Sequence, residues 1–444
     1  MIRRLLFGRI DNSPLIIFRV FFGILCALEC YGAIVTGWVR RTLVEPEFTF
    51  NFIGFEWLQP LPGVGMYVYF AIMGTLGVGI ALGYRYRFCA IAFTLLWTGA
   101  YLMQKTSYNN HYYLLVLISG CMAVFPANRY FSLDVKRNPN IRTISMPGWI
   151  KWSIVLQLFI VYTYAAIAKM YGDWVDFGIV KILMQGKAGY PIIGSVLQLP
   201  WIHKIIGVFG ILFDLLIIPA LLWKPTRKPA FIASIFFHLF NSIVFQIGIF
   251  PYLSLAFTVF FFDTKTINNL FFKKKPHYSD APELSPAYNR PLLLVLGIYF
   301  LVQIALPLRH HLIPDDVLWT EEGHRLSWRM MLRSRAGRIQ FQVVHKDTQK
   351  KEYIDASKYL TAKQRRRLGS YPDFIWQFAQ KLKAIYAEKG IAVSVYAIGS
   401  KVSVNGKPYR PFIDPTVDLA AVPWSHLHHN AFILPSSEAD TTEN

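Results

Sequence analysis

Lys169, His111, His238 and Asn241 are the residues of this sequence best placed to do chemistry, because each stands in, or at the end of, a long apolar run. An ionisable side chain inside a membrane span costs a few kcal/mol on insertion scales, so its presence calls for a reason. Lys169 closes the run 147–170, His111 opens the run 109–127, and His238 and Asn241 lie three apart in the run 228–247. Tyr162, seven residues before Lys169, shares its helical face, so both helices present a polar stripe. A lysine must be uncharged to act as a base, and burial disfavours its charged form. Beside an imidazole, such an amine is suited to taking a proton from a bound substrate in a dry site. The competing reading is that Lys169 snorkels to the interface, as a lysine at a helix end usually does. Arg19, Glu29 and Asp214 are also intramembrane ions, and pairing with a neighbour would account for each of them.

The elements that must hold these residues follow from composition. The 444 residues are 54% hydrophobic and only 16% charged, against about 25% charged in an average soluble domain. That balance excludes an ordinary soluble enzyme, and the hydrophobicity excludes wholesale disorder. Nine apolar runs at 14–37, 64–84, 87–104, 109–127, 147–170, 203–223, 228–247, 249–263 and 291–308 predict a polytopic bundle of about nine transmembrane helices, the eighth short enough to be re-entrant. The net charge of +20 is spread over short loops between the runs rather than gathered on one segment, so it reads as topology and contact with membrane lipid, with no nucleic acid partner. Lys and Arg are richer on the loops sharing a side with Arg3, Arg4 and Arg9. This puts the N-terminus in the cytoplasm and, after nine spans, the C-terminal third outside. With Lys169 and His111 at outer helix ends and His238 in the outer half of its run, all three share one depth beneath that outer part.

Residues 1–308 therefore form a transmembrane domain, 309–435 a small extracytosolic α+β domain, and 436–444 a disordered tail, with linkers at 138–147 and 273–291. In the α+β part, strands are expected at 339–345, 391–397 and 401–404, and a helix at 372–387. Asn405-Gly406 is a two-residue hairpin signal leading to Lys407-Pro408-Tyr409. Cys26, Cys30, Cys89 and Cys121 all lie in apolar runs, which argues against a disulfide framework. The absence of an Asn-x-Ser/Thr acceptor hints at a chain that did not evolve for a glycosylating compartment. The N-terminus reads as an uncleaved anchor. His426, His428 and His429 match no tight ligand pattern and have no acidic neighbour in sequence, so they read as a surface loop and no metal site is expected. His310-His311 are as well explained as an interfacial anchor. There is no dinucleotide fingerprint, nucleophile elbow or P-loop. A non-enzymatic transporter remains an alternative use of buried polar groups, though no repeat symmetry supports it.

Five ordered segments resemble the vitamin K-dependent gamma-glutamyl carboxylases. They are Lys105-Thr106-Ser107-Tyr108-Asn109-Asn110-His111; Ala165 to Trp174; Phe237-His238-Leu239-Phe240-Asn241-Ser242 with Gln246 to Phe250; Ser327 to Arg335; and Phe412 to Asp418. The similarity runs from about Phe18 to Pro435, and looks like a bacterial-type homologue with a horizontally transferred transmembrane domain. The resemblance implies a lyase-type carboxylase of, here, a bacterial inner membrane. Vitamin K hydroquinone would be deprotonated by an amine, its anion would react with O2 to give an epoxide by way of a strong alkoxide base, and that base would activate a protein glutamate for capture of CO2. Lys169 would be the base, matching the second of the family's two adjacent lysines, with Ala168 in place of the first. Asn110 and His111 would hold the quinone oxygens, with His238 and Asn241 in the same cofactor-binding group. Ser327, Trp328, Arg333 and Arg335 would bind the glutamate-containing substrate, an arginine fork suiting a carboxylate. Two departures stand out. Thr416 replaces the Arg of the family's Asp-Pro-Arg-Val-Asp, and Arg333 replaces the His of its His-Ser-Arg. They imply a rebuilt carboxylate pocket, and hence the alternative of a quinol epoxidase without carboxylation.

Overall fold

The computed structural model describes residues 2–276, 278 and 289–437. Every expected apolar run is helical there: α1 Ser13–Val35, α2 Gly65–Leu82, α3 Tyr86–Met103, α4 Asn110–Val124, α5 Gly148–Lys169 and, after a short helix outside the expected runs, α6 Gly178–Gln185, come α7 Pro200–Leu222, α8 Arg227–Phe245, α9 Phe250–Phe257 and α10 Asn289–Leu308. Among the described residues, six helices are long and apolar enough to cross a membrane: α1, α2, α5, α7, α8 and Asn289–Leu312. This is fewer than the nine expected. The helix at Asn110–Val124 and the apolar stretch Phe250–Phe260 are shorter, and hydroxyl and aromatic residues lower the hydropathy of α3. The linker 273–291 and the tail 436–444 fall largely outside the described residues.

Close backbone approach builds the first helix pair. A Cβ on Gly23 of α1 would lie 2.3 Å from the Ala81 nitrogen of α2, and one on Gly77 would lie 2.7 Å from the Ala27 nitrogen. With little hydrophobic drive between helices in lipid, such small-residue contacts supply the packing energy.

The C-terminal part is an antiparallel four-stranded sheet, β1 Arg335–His345, β2 Lys351–Ile354, β3 Val393–Val404 and β4 Arg410–Pro411, in the order β2-β1-β3-β4, with α11 Pro372–Ala387 beside it. The strands expected at 391–397 and 401–404 are one continuous strand. Register with β1 slips between Arg338 and Gln340, Gly399 sits at φ +60, and the buried positions change phase from Val393, Val395 and Ala397 to Ser400, Val402 and Val404. An extra residue in a bulge, with glycine in the left-handed region, accounts for the apparent break. Asn405 and Gly406 make the expected turn with φ +53 and +76, but the next ladder pair is Val402 with Arg410. Pro408 has no N–H to offer an earlier pairing.

The sheet-bearing part docks onto the loops at one end of the bundle. Lys363 Nζ donates to Ser107 Oγ at 2.7 Å, and Gln377 Nε2 to the Asn51 carbonyl at 3.0 Å. Asp373 of α11 accepts from Lys105 at 2.5 Å and bidentately from Arg325 at 2.7 and 3.2 Å. All three line the space where the two parts meet.

Candidate active site

Lys169 does not snorkel. It is 7% exposed on the last turn of α5, and its Nζ forms an ion pair with the Asp214 carboxylate of α7. The local sequence of α7 explains the approach. Gly207, Gly210 and Asp214 fall at i, i+3 and i+7, one face of the helix. The two glycines leave room for the rings that follow α5, Phe177 against Gly207 and Trp174 against Gly210. The Trp174 indole donates to the Gly207 carbonyl at 3.1 Å, and its ring centre lies 5.5 Å from Lys169 Nζ.

Lys169 and Asp214 open on a cavity of about 510 Å³ that is also lined by His111, Tyr162, His238 and Asn241. The residues expected to share one depth therefore share one cavity. Its remaining walls are aliphatic and aromatic, and the side facing α7 and α8 reaches the surface at the exposed residues Ile205, Phe209 and Phe236. Phe250 joins the two histidines, stacked on His111 at 3.8 Å and edge-on to His238 at 6.1 Å. His238 Nε2 meets the Tyr162 hydroxyl at 3.2 Å, while its Nδ1 is buried with no protein partner. A buried polar atom without a partner is costly and asks for a ligand.

A second cavity, about 730 Å³, lies on the other side of His111 and has a different character. It is lined by Glu29, Lys105, Asn110, His324, Arg325, Arg329 and Arg333, among others, and shares His111, Ile247, Met330 and Met331 with the first. Those four residues form the partition. Ile247 sits in the turn between Gln246 at φ +52 and Gly248 at φ +62. The methionines end a loop in which four non-glycine residues adopt positive φ, namely Glu321, Leu326, Trp328 and Met331. Such conformations cost about 1–3 kcal/mol each and persist only where the surroundings dictate them.

The cations of this loop are not equivalent. Arg333 is clamped on Glu321, with Nη2 2.6 Å from Oε2. Burial alone would lower its affinity for a proton, but Glu321 outweighs that and holds it above the usual arginine value. Burial also pushes His324 well below the usual histidine range, and the surrounding arginines push it further. Arg329 is 8% exposed. Among the described residues it has no carboxylate within ion-pair distance, its Nη1 reaches only His310 Nε2 at 3.4 Å, and its Nε is without a partner.

Several expected site residues do other work. The Asn110 side chain turns to the polar cavity rather than the apolar one, between the Tyr108 hydroxyl at 2.8 Å and the Arg329 carbonyl at 3.1 Å. Arg335 lines neither cavity. Its guanidinium donates to the backbone carbonyls of Ser370, Leu318 and Trp319, so it ties the loop to the sheet. Ser327 donates to the His324 carbonyl, and Trp328 is buried against Tyr113, ring centres 4.9 Å apart. Both shape the loop from behind. Thr416 is exposed and bonds to Asp414 within its own turn, remote from both cavities. His426 and His428 are exposed, as expected of a surface loop, but His429 is half-buried and has an acidic partner, Glu322 at 2.7 Å, that ties the loop down. The residues that sequence reading missed are Asp214 as the partner of Lys169, and Arg329. Their signals were the glycine stripe ending in Asp214 and the fourfold spacing of Arg325, Arg329 and Arg333.

The HTTM domain family model matches residues 7–265, and the family model of the vitamin K-dependent gamma-carboxylase lumenal domain matches residues 288–439. The chain belongs to the vitamin K-dependent gamma-carboxylase family. No solved structure matches it. Lys169, His111, His238 and Asn241 fall in the first matched stretch and Arg325, Arg329 and Arg333 in the second, and each cavity takes walls from both.

Proposed function

We propose that this chain is a quinol-dependent gamma-glutamyl carboxylase. It would couple oxidation of reduced vitamin K by O2 to the carboxylation of a protein glutamate with CO2, with no metal. The observation that carries this reading is the sharing of His111 by two cavities of opposite character. The apolar one suits a naphthoquinol ring: its walls are hydrophobic, it opens toward lipid where an isoprenoid tail can lie, and His238 Nδ1 is an unpartnered polar atom for a ring oxygen. The bound quinol supplies, on reaction with O2, a base strong enough to deprotonate the glutamate γ-carbon. The Lys169–Asp214 pair accepts the quinol hydroxyl proton. Because the amine has a carboxylate at hand, the accepting unit is the pair rather than a lone amine. His111 bridges toward the polar cavity, where Arg329 holds the glutamate carboxylate in a charge-assisted fork. Exclusion of water on the apolar side protects the strong base from quenching.

With this function go the wider assignments: an integral multi-pass protein of a bacterial inner membrane with a cytoplasmic N-terminus, an extracytosolic domain from about residue 309 to 435, and a glutamate-containing peptide or protein as partner. Purified chain given reduced vitamin K, labelled bicarbonate and a glutamate peptide should yield labelled peptide and quinone epoxide, and Lys169→Ala should abolish both. Wild type that makes neither product overturns the reading. Epoxide without label selects a quinol epoxidase instead, and substrate-dependent flux in liposomes that survives Lys169→Ala selects a transporter.

A further inference from the structure

Arg19 is the buried cation that the chemistry above leaves unexplained. It stands within α1, 1% exposed, and its guanidinium donates to the carbonyls of Ala127 at 3.2 Å and Phe131 at 2.7 Å, while Nε has no partner. The buried lysines are each neutralised: Lys105 by Asp373, Lys169 by Asp214 and Lys275 by Asp11. Among the described residues Arg19 has no carboxylate within ion-pair distance. Asp134, the acid whose charge reaches it, is already occupied by the backbone N–H groups of Arg85 and Tyr86 and the Asn128 amide. A buried charge without a counter-charge is expensive, so an anion from outside the chain would relieve a real cost.

The space for that anion is present. Arg19 lines a crevice of about 680 Å³ between α1, α2 and the segment 130–142, together with Lys136 and Arg142. No acidic residue lines it. Lys136 and Arg142 are exposed, and Arg142 rests over the Tyr130 ring, 5.1 Å from its centre. The rest of the wall is apolar and runs along the outer faces of the two helices, with Ile24, Leu28 and Leu82 about half exposed. Charge at one end and hydrocarbon along the other is the shape of a lipid, not of a free ion.

We infer that this crevice binds an acidic phospholipid, its phosphate on Arg19, Lys136 and Arg142 and an acyl chain along α1 and α2. Inorganic phosphate would satisfy the cations but leave the apolar wall bare. The crevice shares no residue with the apolar cavity and only Leu28 with the polar one, and it does not depend on the quinol reading.

The test uses the full chain, delipidated in a neutral detergent and titrated with phosphatidylglycerol, phosphatidylcholine or inorganic phosphate, the retained adducts being counted by native mass spectrometry. One phosphatidylglycerol should be held in preference to phosphatidylcholine, with an affinity that falls as salt rises. Lys136→Ala/Arg142→Ala, both exposed and so safe for folding, should weaken it about thirtyfold at low salt, from the usual attraction per basic residue near an anionic surface. Equal retention of the two lipids overturns the inference, as does unchanged affinity in the double variant or displacement of the lipid by equimolar phosphate. The comparison of the three ligands on wild type needs no variant, so a poorly folding Arg19 substitution would not weaken the test.

Discussion

Separating the two roles of the Lys169–Asp214 pair is the sharpest test of the site, because one ion pair is asked both to hold α5 against α7 and to take a proton. Its side chains are 8% and 4% exposed, so solvent screening takes little away. Removing one partner from such a pair strands the other charge and costs about 3–5 kcal/mol, whereas replacing both by apolar residues of similar volume is near neutral or stabilising. The pair lines a cavity rather than solid core. Some relaxation is therefore available, and the lower end, about 3 kcal/mol, is expected for Lys169→Met and for Asp214→Leu. The double variant Lys169→Met/Asp214→Leu should recover most of that loss and cost about 1 kcal/mol or less, giving a coupling energy of about 5 kcal/mol in a double-mutant cycle. The cycle is measured by reversible unfolding in mixed micelles and paired with quinol epoxidation per folded molecule. Both single variants and the stable double variant should be inactive. Single-variant costs below about 1 kcal/mol would refute the buried pair, and turnover in the double variant would refute its part in the chemistry.

Arg329→Gln should raise the KM for a glutamate peptide by about 10- to 150-fold, the worth of a charged hydrogen-bonded contact, while quinol oxidation without peptide stays near wild type; steady-state kinetics with each substrate checks this. Arg335→Ala should lower stability by about 2–4 kcal/mol through lost carbonyl contacts and raise the KM for the glutamate peptide in the folded fraction by displacing Arg329, while quinol oxidation without peptide stays near wild type, as read by calorimetry and assay together. Lys105 and Asp373 give a pH signature. Burial pushes the Lys105 amine down to about 8, Asp373 offsetting only part of the effect; burial also pushes Asp373 up, but Arg325 and Lys105 outweigh it and hold that carboxyl below its usual value. Between pH 8 and 10.5 the unfolded chain keeps a lysine proton that the folded chain has shed, so the stability of wild type relative to Lys105→Met should rise with pH, by at most about 1.4 kcal/mol per unit. A flat difference across that window would refute the assignment.

What was legible in the sequence were features set by local pattern. Long apolar runs gave the helices, and the polar side chains inside them gave Lys169, His111, His238 and Asn241, which the structure brings to one cavity. What was not legible depended on which partner each charged group finds across the fold. Arg333 and Arg335 look identical in sequence to Arg329, yet Glu321 occupies the first and three backbone carbonyls the second. Among these three, Arg329 alone has no carboxylate within ion-pair distance among the described residues. Asn110 and His111 are neighbours on one helix, but they start α4 about 100° apart, so one faces the polar cavity and the other the partition. The strand break near Gly399 was misread because a bulge inverts the alternation on which strand reading rests.

The loop 321–333 links these observations. A flexible loop of this composition would fold its arginines onto the nearest carboxylates, and four cations around it have done so: Lys105 and Arg325 on Asp373, and Arg333 and Arg335 on Glu321. Four residues held at positive φ mean that the backbone path is imposed from outside, by Trp328 packed under Tyr113 and Arg335 anchored to the sheet. That imposed path keeps Arg329 beyond ion-pair distance of every carboxylate among the described residues and puts Met330 and Met331 beside His111 in the partition. Ser327, Trp328 and Arg335 thus bear on substrate binding through the loop they brace rather than by contact, and their substitution should alter the placement of Arg329 before it alters the charge of the cavity.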